Sequence, residues 1–218
     1  MHLCEKFDVF LFDLDGTLTD PKEGITRSVQ YALNKMGIIE ENLNDLIHFI
    51  GPPLKHSFMA HYAFNEEKAM EAIVYYREYF SDRGIFENLR FDGIDNILSR
   101  LVQKKKKLFV ATSKPTVFAK TITDTFGLSS YFEEVVGSEL DGSRCEKASV
   151  IRHIFNRHDI EKEKTLMIGD REHDVIGARK NGIASLGVGF GYGSRRELEK
   201  AGADYFAANL SDLEKIFF

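Results

Sequence analysis

Six short apolar runs set the terms for this chain: "DVFLF" (8–12), "KLFVAT" (107–112), "EEVVG" (133–137), "TLMIGD" (165–170), "IASLGVGF" (183–190) and, more weakly, "ADYFAA" (203–208). Such runs, bounded by charge or glycine, have the pattern of strands buried on both faces of a parallel sheet. Stretches of helical length lie between them. "KPTVFAKTITDTFG" opens near Pro115 and closes on Gly127, and "EKASVIRHIFNRH" carries Ala148, Ile151, Ile154 and Phe155 at helical spacing. Strand then helix, repeated, predicts an α/β fold with a doubly wound parallel sheet.

Residues 20 to 88 break that rhythm. "DPKEGITRSVQYALNKMG" reads as a helix with Asp20 as N-cap, Pro21 at the first helical position, a stripe of Ile25, Val29, Leu33 and Met36, and Gly37 as its stop. "LNDLIHFIG", "LKHSFMAHYAF" and "NEEKAMEAIVYYREYFSDRG" also lack strand alternation. The expected organisation is a core domain of residues 1–19 and 89–218, with a helical cap domain, 20–88, inserted after the first strand. Hinges are expected near Asp20 and in "RGIFENLRFDG".

Charge and cysteine content narrow the function classes. The 218 residues carry 29 Lys and Arg against 34 Asp and Glu, a net charge of −5, which disfavours nucleic acid and anionic membranes as partners. Cys4 and Cys145 are far apart and offer neither a disulfide framework nor a zinc knuckle. The N-terminal residues "MHLCEKFD" lack the basic and apolar regions of an export signal, so a cytoplasmic protein is expected. The choice between monomer and homodimer stays open.

In open parallel sheets, ligands bind at the carboxyl ends of strands. Asp13 and Asp15 follow the first strand, Thr112 and Ser113 close "FVAT", and Asp170 closes "TLMIG" with Asp174 one helical turn on. Four carboxylates on one rim repel one another unless a cation sits among them. Oxygen ligands of this kind suit Mg²⁺, together with water and a substrate phosphate.

The motifs "DLDGT", "VATS", Lys147 and "IGDREHD" fall in an order that resembles the haloacid dehalogenase-like hydrolase superfamily. The helical insert after the first motif, with "GYGSRRELEKAGAD" and "DLEKIF", is similar to its phosphoglycolate phosphatase-like members. The resemblance implies an Mg²⁺-dependent phosphatase acting on a small phosphorylated metabolite through an aspartyl-phosphate. Asp13 is then the nucleophile and Asp15 the acid and base. Asp13, the carbonyl of Asp15, and Asp170 hold the metal with help from Asp174, while Thr112, the Ser113 amide and Lys147 bind the phosphoryl oxygens. Two departures from the pattern are Ser113, where relatives often carry Asn, and Ala148 after Lys147, where many carry Pro. Both leave the required charges in place and the substrate open: phosphoglycolate, a nucleotide, pyrophosphate, or a sugar phosphate in a mutase reaction. From another class, a signalling module phosphorylated on Asp has no need of a helical lid.

Other features carry less. "GVGFGYG" (187–193) spaces its glycines at every second position and fails the dinucleotide pattern, so a loop beside the sheet is expected. "KKKK" (104–107) reads as a solvated helix end. The histidines show no metal spacing. Two prolines stiffen "GPPLKHS" (51–57), which makes Lys55 a candidate specificity residue of the cap.

Overall fold

A computed structural model describes residues 2–218. In chain order its elements are α1 (Leu3–Lys6), β1 (Val9–Phe12), β2 (Thr19–Asp20), α2 (Lys22–Lys35), α3 (Leu54–Tyr62), α4 (Glu66–Tyr79), β3 (Leu89–Arg90), α5 (Ile94–Gln103), β4 (Lys107–Pro115), α6 (Thr116–Thr125) and β5 (Glu134–Ser138). There follow α7 (Lys147–Arg157), β6 (Thr165–Gly169), α8 (Glu172–Asn181), β7 (Ala184–Val188), α9 (Arg195–Ala201), β8 (Tyr205–Ala207) and α10 (Leu210–Phe217). Each of the six apolar runs holds one strand of a single sheet, ordered β5-β4-β1-β6-β7-β8. All its pairings are parallel, for example Leu11 beside Phe109 and Met167.

The chain forms two compact units, Met1–Thr19 with Arg90–Phe218, and Asp20–Leu89. In the first, β1 is central and wholly buried, as its unbroken apolar sequence requires. Val9 and Leu11 pack with Phe109, Ala111, Val136 and Met167 under the apolar faces of α7 and α8, which contribute Val150, Ile151, Ile154 and Ala178. Phe10 and Phe12 alternate away from that cluster, and Phe10 meets Phe217 of α10 edge to face at 5.4 Å.

The second unit is helical throughout apart from its end strands. On α2, Ile25, Val29 and Leu33 are buried as the stripe predicts. The helix starts one residue later than expected: Pro21 precedes it, and Asp20 caps from outside by accepting the Lys22 amide at 3.0 Å. A 3-10 segment (Leu43–Phe49), α3, α4 and a π-helical turn (Phe80–Gly84) complete the unit, and Phe49 and Phe58, whose rings lie 4.8 Å apart, join the 3-10 segment to α3. Among the described residues no helix is long and apolar enough to cross a membrane.

The strand boundaries depart from expectation most at β4, which runs to Pro115 rather than ending at Thr112. Its register against β5 shifts between Ala111 and Pro115, so the chain stays extended through "TSKP" and Pro115 stands before α6, not inside it. That irregular end forms one side of the site.

Candidate active site

Every side chain of the acidic cluster leaves the carboxyl end of a strand or the start of the following helix. Asp13 continues β1 by one residue, its amide donating to Ile168 O on β6 at 2.8 Å, and its Oδ1 accepts the Leu14 amide at 2.7 Å. The chain then turns at Gly16, whose φ of +78° is accessible to glycine at no steric cost. A Cβ at that position would also collide with the Asp170 carboxylate.

Asp170 follows β6 with no exposed surface. Its Oδ2 accepts the Tyr192 amide at 2.7 Å, and its Oδ1, also buried, has no hydrogen-bond partner. Asp174 lies in the first turn of α8, where Oδ2 accepts the Arg171 amide at 3.1 Å and thereby satisfies one orphan donor of the helix start. Carboxylate oxygens of Asp13, Asp170 and Asp174 all come within 4.8 Å of one another.

Lys147, the first residue of α7, reaches into this group with a side chain only 3% exposed. Its Nζ lies 2.8 Å from Asp13 Oδ1 and 2.7 Å from Asp174 Oδ1, and donates to Ala111 O at 2.8 Å. Burial alone would lower its pKa, but the two carboxylates outweigh that and raise it, so Lys147 stays an ammonium. Asp15 turns to a different cation: its Oδ2 pairs with Lys114 Nζ at 2.8 Å, and its Oδ1 is buried without a partner.

Four buried carboxylates face two ammonium groups, which leaves two negative charges uncompensated. Burial pushes Asp15 up, and pushes Asp174 up to about 6. Asp170 is raised well above the ordinary range by burial and by the charges of Asp174 and Asp13. A divalent cation would supply the missing charge, and the partnerless Asp170 Oδ1 offers it a hard oxygen ligand. Asp13, Asp170 and Asp174 therefore fit Mg²⁺ by chemistry and by convergence.

The remaining candidates fall on both units. Thr112 is buried on β4; its Oγ1 accepts the Lys114 amide at 3.2 Å, which leaves the hydroxyl proton to donate elsewhere. The carbonyl of Ser113 is held by Ser138 Oγ at 2.8 Å. Lys55 lies on α3 of the helical unit, where it is ion-paired with Glu66.

Two contributors escaped the sequence reading. Lys114 could have been found, because two residues beyond Thr112 the alternation of a strand returns to the same side. The Tyr192 amide could not, since any residue supplies an N–H. Its only trace is the glycine alternation of "GVGFGYG", a loop that is packed on Asp170: a Cβ at Gly191 would strike that carboxylate.

Comparison with known proteins places the chain in a family. Residues 10–188 match the haloacid dehalogenase-like hydrolase family. A 5'-nucleotidase of Pseudomonas aeruginosa is 49% identical over 97% of this chain and 96% of its own length. Tyrosine-protein kinase PtkA of Mycobacterium tuberculosis is 40% identical over 90% of this chain and 67% of its own. The crystal structure of a predicted phosphatase from Clostridium acetobutylicum superposes with a TM-score of 0.94 at 52% identity, covering 96% of this chain and 97% of that one. The chain belongs to the haloacid dehalogenase-like hydrolase family, as a phosphatase.

Proposed function

We propose that the protein hydrolyses a small phosphomonoester, a nucleoside 5'-monophosphate first among the candidates, with Mg²⁺ and through an aspartyl-phosphate on Asp13. The observation that carries the reading is the convergence of Asp13, Asp170 and Asp174 on buried oxygen atoms beside Lys147. The nucleotide is favoured over phosphoglycolate by the 49% identity to the 5'-nucleotidase.

In this reading Asp13 attacks phosphorus in line as the ester P–O bond breaks, and Asp15 gives a proton to the departing oxygen. Asp15 then takes a proton from water as that water attacks the acyl phosphate, which frees Asp13 and releases phosphate. Lys147 and the Thr112 hydroxyl stabilise charge on the phosphoryl oxygens. Asp13, Asp170, Asp174 and the Asp15 carbonyl would hold Mg²⁺, which when bound neutralises the repulsion between the nucleophile and its anionic substrate.

The test is phosphate release from nucleoside monophosphates, phosphoglycolate, pyrophosphate and sugar phosphates, with Mg²⁺ and with EDTA. Fastest release from a nucleoside 5'-monophosphate, abolished by EDTA and restored by Mg²⁺, is expected. Full activity in EDTA, or no release from any ester, contradicts the reading; isomerised sugar phosphate without free phosphate assigns a mutase instead. The resemblance to a tyrosine-protein kinase makes transfer from ATP to a tyrosine peptide a further arm, and labelled peptide without phosphate release overturns the hydrolytic outcome.

A further inference from the structure

Lys114 is one of two buried lysines ion-paired within the acidic cluster, and the proposed reaction leaves it without a role. Its side chain is 6% exposed and its Nζ lies 2.8 Å from Asp15 Oδ2. Such a contact is hard to move whether or not Asp15 carries a proton, because a desolvated ammonium that loses its oxygen acceptor is left uncompensated. The Lys114 backbone is fixed as firmly. Its amide donates to Thr112 Oγ1 at 3.2 Å, and the preceding carbonyl, of Ser113, accepts from Ser138 Oγ at 2.8 Å. Thr116 Oγ1 links the same segment to β5, donating to Ser138 O at 3.2 Å and accepting the Gly137 amide at 3.0 Å. The approach of β5 is so close that a Cβ at Gly137 would collide with Lys114 O. The register shift after Ala111 is thus a braced platform whose charged product is Lys114.

We propose that Lys114 is the positioning residue of Asp15: by holding Oδ2, it fixes the carboxyl so that the partnerless Oδ1 faces the oxygen of the leaving group. The inference rests on the hydrolytic reading above, in which Asp15 transfers the proton. One oxygen anchored and one unpartnered is the arrangement proton transfer needs, since general acid catalysis demands hydrogen-bond reach in a fixed orientation. The proton passes from Asp15 to the alkoxide as the P–O bond breaks, and Lys114 itself exchanges no proton. Lys147 does not perform this task, being committed to Asp13, Asp174 and Ala111 O.

The leaving group separates positioning from binding. A nucleoside monophosphate expels a basic alkoxide that needs the proton; p-nitrophenyl phosphate expels a stable phenolate that hardly does. Since kcat/KM reports the steps up to phosphoryl transfer, Lys114→Met should lower it roughly 10- to 100-fold for the nucleotide and less than about 3-fold for the aryl ester. In an Asp15→Asn background the same substitution should change kcat/KM for the nucleotide by less than about 2-fold, because its effect passes through Asp15. Lys114→Gln, which keeps a donor, serves should the Met variant not fold, with thermal melting as the check. Equal losses on both esters, or a full additional loss in the Asp15→Asn background, would make Lys114 a phosphate-binding or structural residue and overturn the proposal. Failure of the unaltered protein on both esters overturns the hydrolytic reading and this inference with it. An active protein whose Asp15→Asn variant discriminates the esters while the Lys114 variants do not overturns only the role of Lys114.

Discussion

At the scale of single residues, charge balance governs the site. Asp13 is the one carboxylate that touches Lys147, follows β1 directly and belongs to the converging trio. Asp13→Asn should abolish turnover, since an amide forms no acyl phosphate; phosphate release near the unaltered rate would rule out the covalent route. The raised pKa values of Asp15, Asp170 and Asp174 carry a second consequence. An acid whose pKa is higher folded than unfolded binds its proton more tightly in the folded chain. Its contribution to stability is complete below the unfolded value, 3.8 here, and is lost as pH rises through the folded value, about 6 for Asp174. In EDTA, Tm should fall as pH rises from about 4 through about 6, and Mg²⁺ should raise Tm more at the upper end than at the lower. Asp170→Asn should flatten that pH dependence, and a Tm profile identical to that of the unaltered protein would contradict the account. The acids were legible in the sequence because carboxylates at the ends of apolar strands have no structural reason to recur. Lys114 was legible by strand alternation from Thr112 but passed over, because "TSKP" drew attention only to its hydroxyls, and a backbone donor such as Tyr192 has no side-chain signature.

At the scale of elements, the site depends on two helices keeping their separation. Lys147 begins α7 and Asp174 lies in the first turn of α8, and Asn181 ties the helices together: its buried Nδ2 donates to Ala148 O of α7 at 3.0 Å and to Gly177 O of α8 at 2.8 Å. Asn181→Ala removes both bonds and should cost about 1–3 kcal/mol, a Tm lower by roughly 2–4 °C per kcal/mol, with a lower kcat as Lys147 loosens. A variant with unchanged Tm and kcat would show that the tie is dispensable. The existence and type of α7 were readable from the apolar spacing that buries Ile151 and Ile154. The end of β4 was not readable, since a proline after a strand reads as a helix start unless a neighbouring strand holds the chain extended. Gly137 and Ser138 of β5 do so here, over a sequence distance no local pattern reports.

At the scale of the whole molecule, a helical unit, Asp20–Leu89, interrupts a sheet that is complete without it. Its end strands β2 and β3 pair with each other, so the chain leaves and returns side by side. Replacing residues 21–88 with a short Gly-Ser linker should therefore leave a cooperatively melting α/β protein that still cleaves a generic aryl phosphate but ranks small substrates differently. An unchanged ranking in the folded deletion protein would remove the insert from specificity and assign that task to the strand-end loops. The same topology bears on the order of synthesis. The ribosome makes β1 first, yet both its neighbours, β4 and β6, come after the insert, and Phe10 finds Phe217 only in α10. At roughly 5–20 residues per second, "VFLF" waits several seconds or more for a partner while the helices behind it have time to fold locally. The wholly apolar strand at the centre of the sheet is thus made long before either strand that covers its edges, and during that interval its backbone and side chains have no native partner.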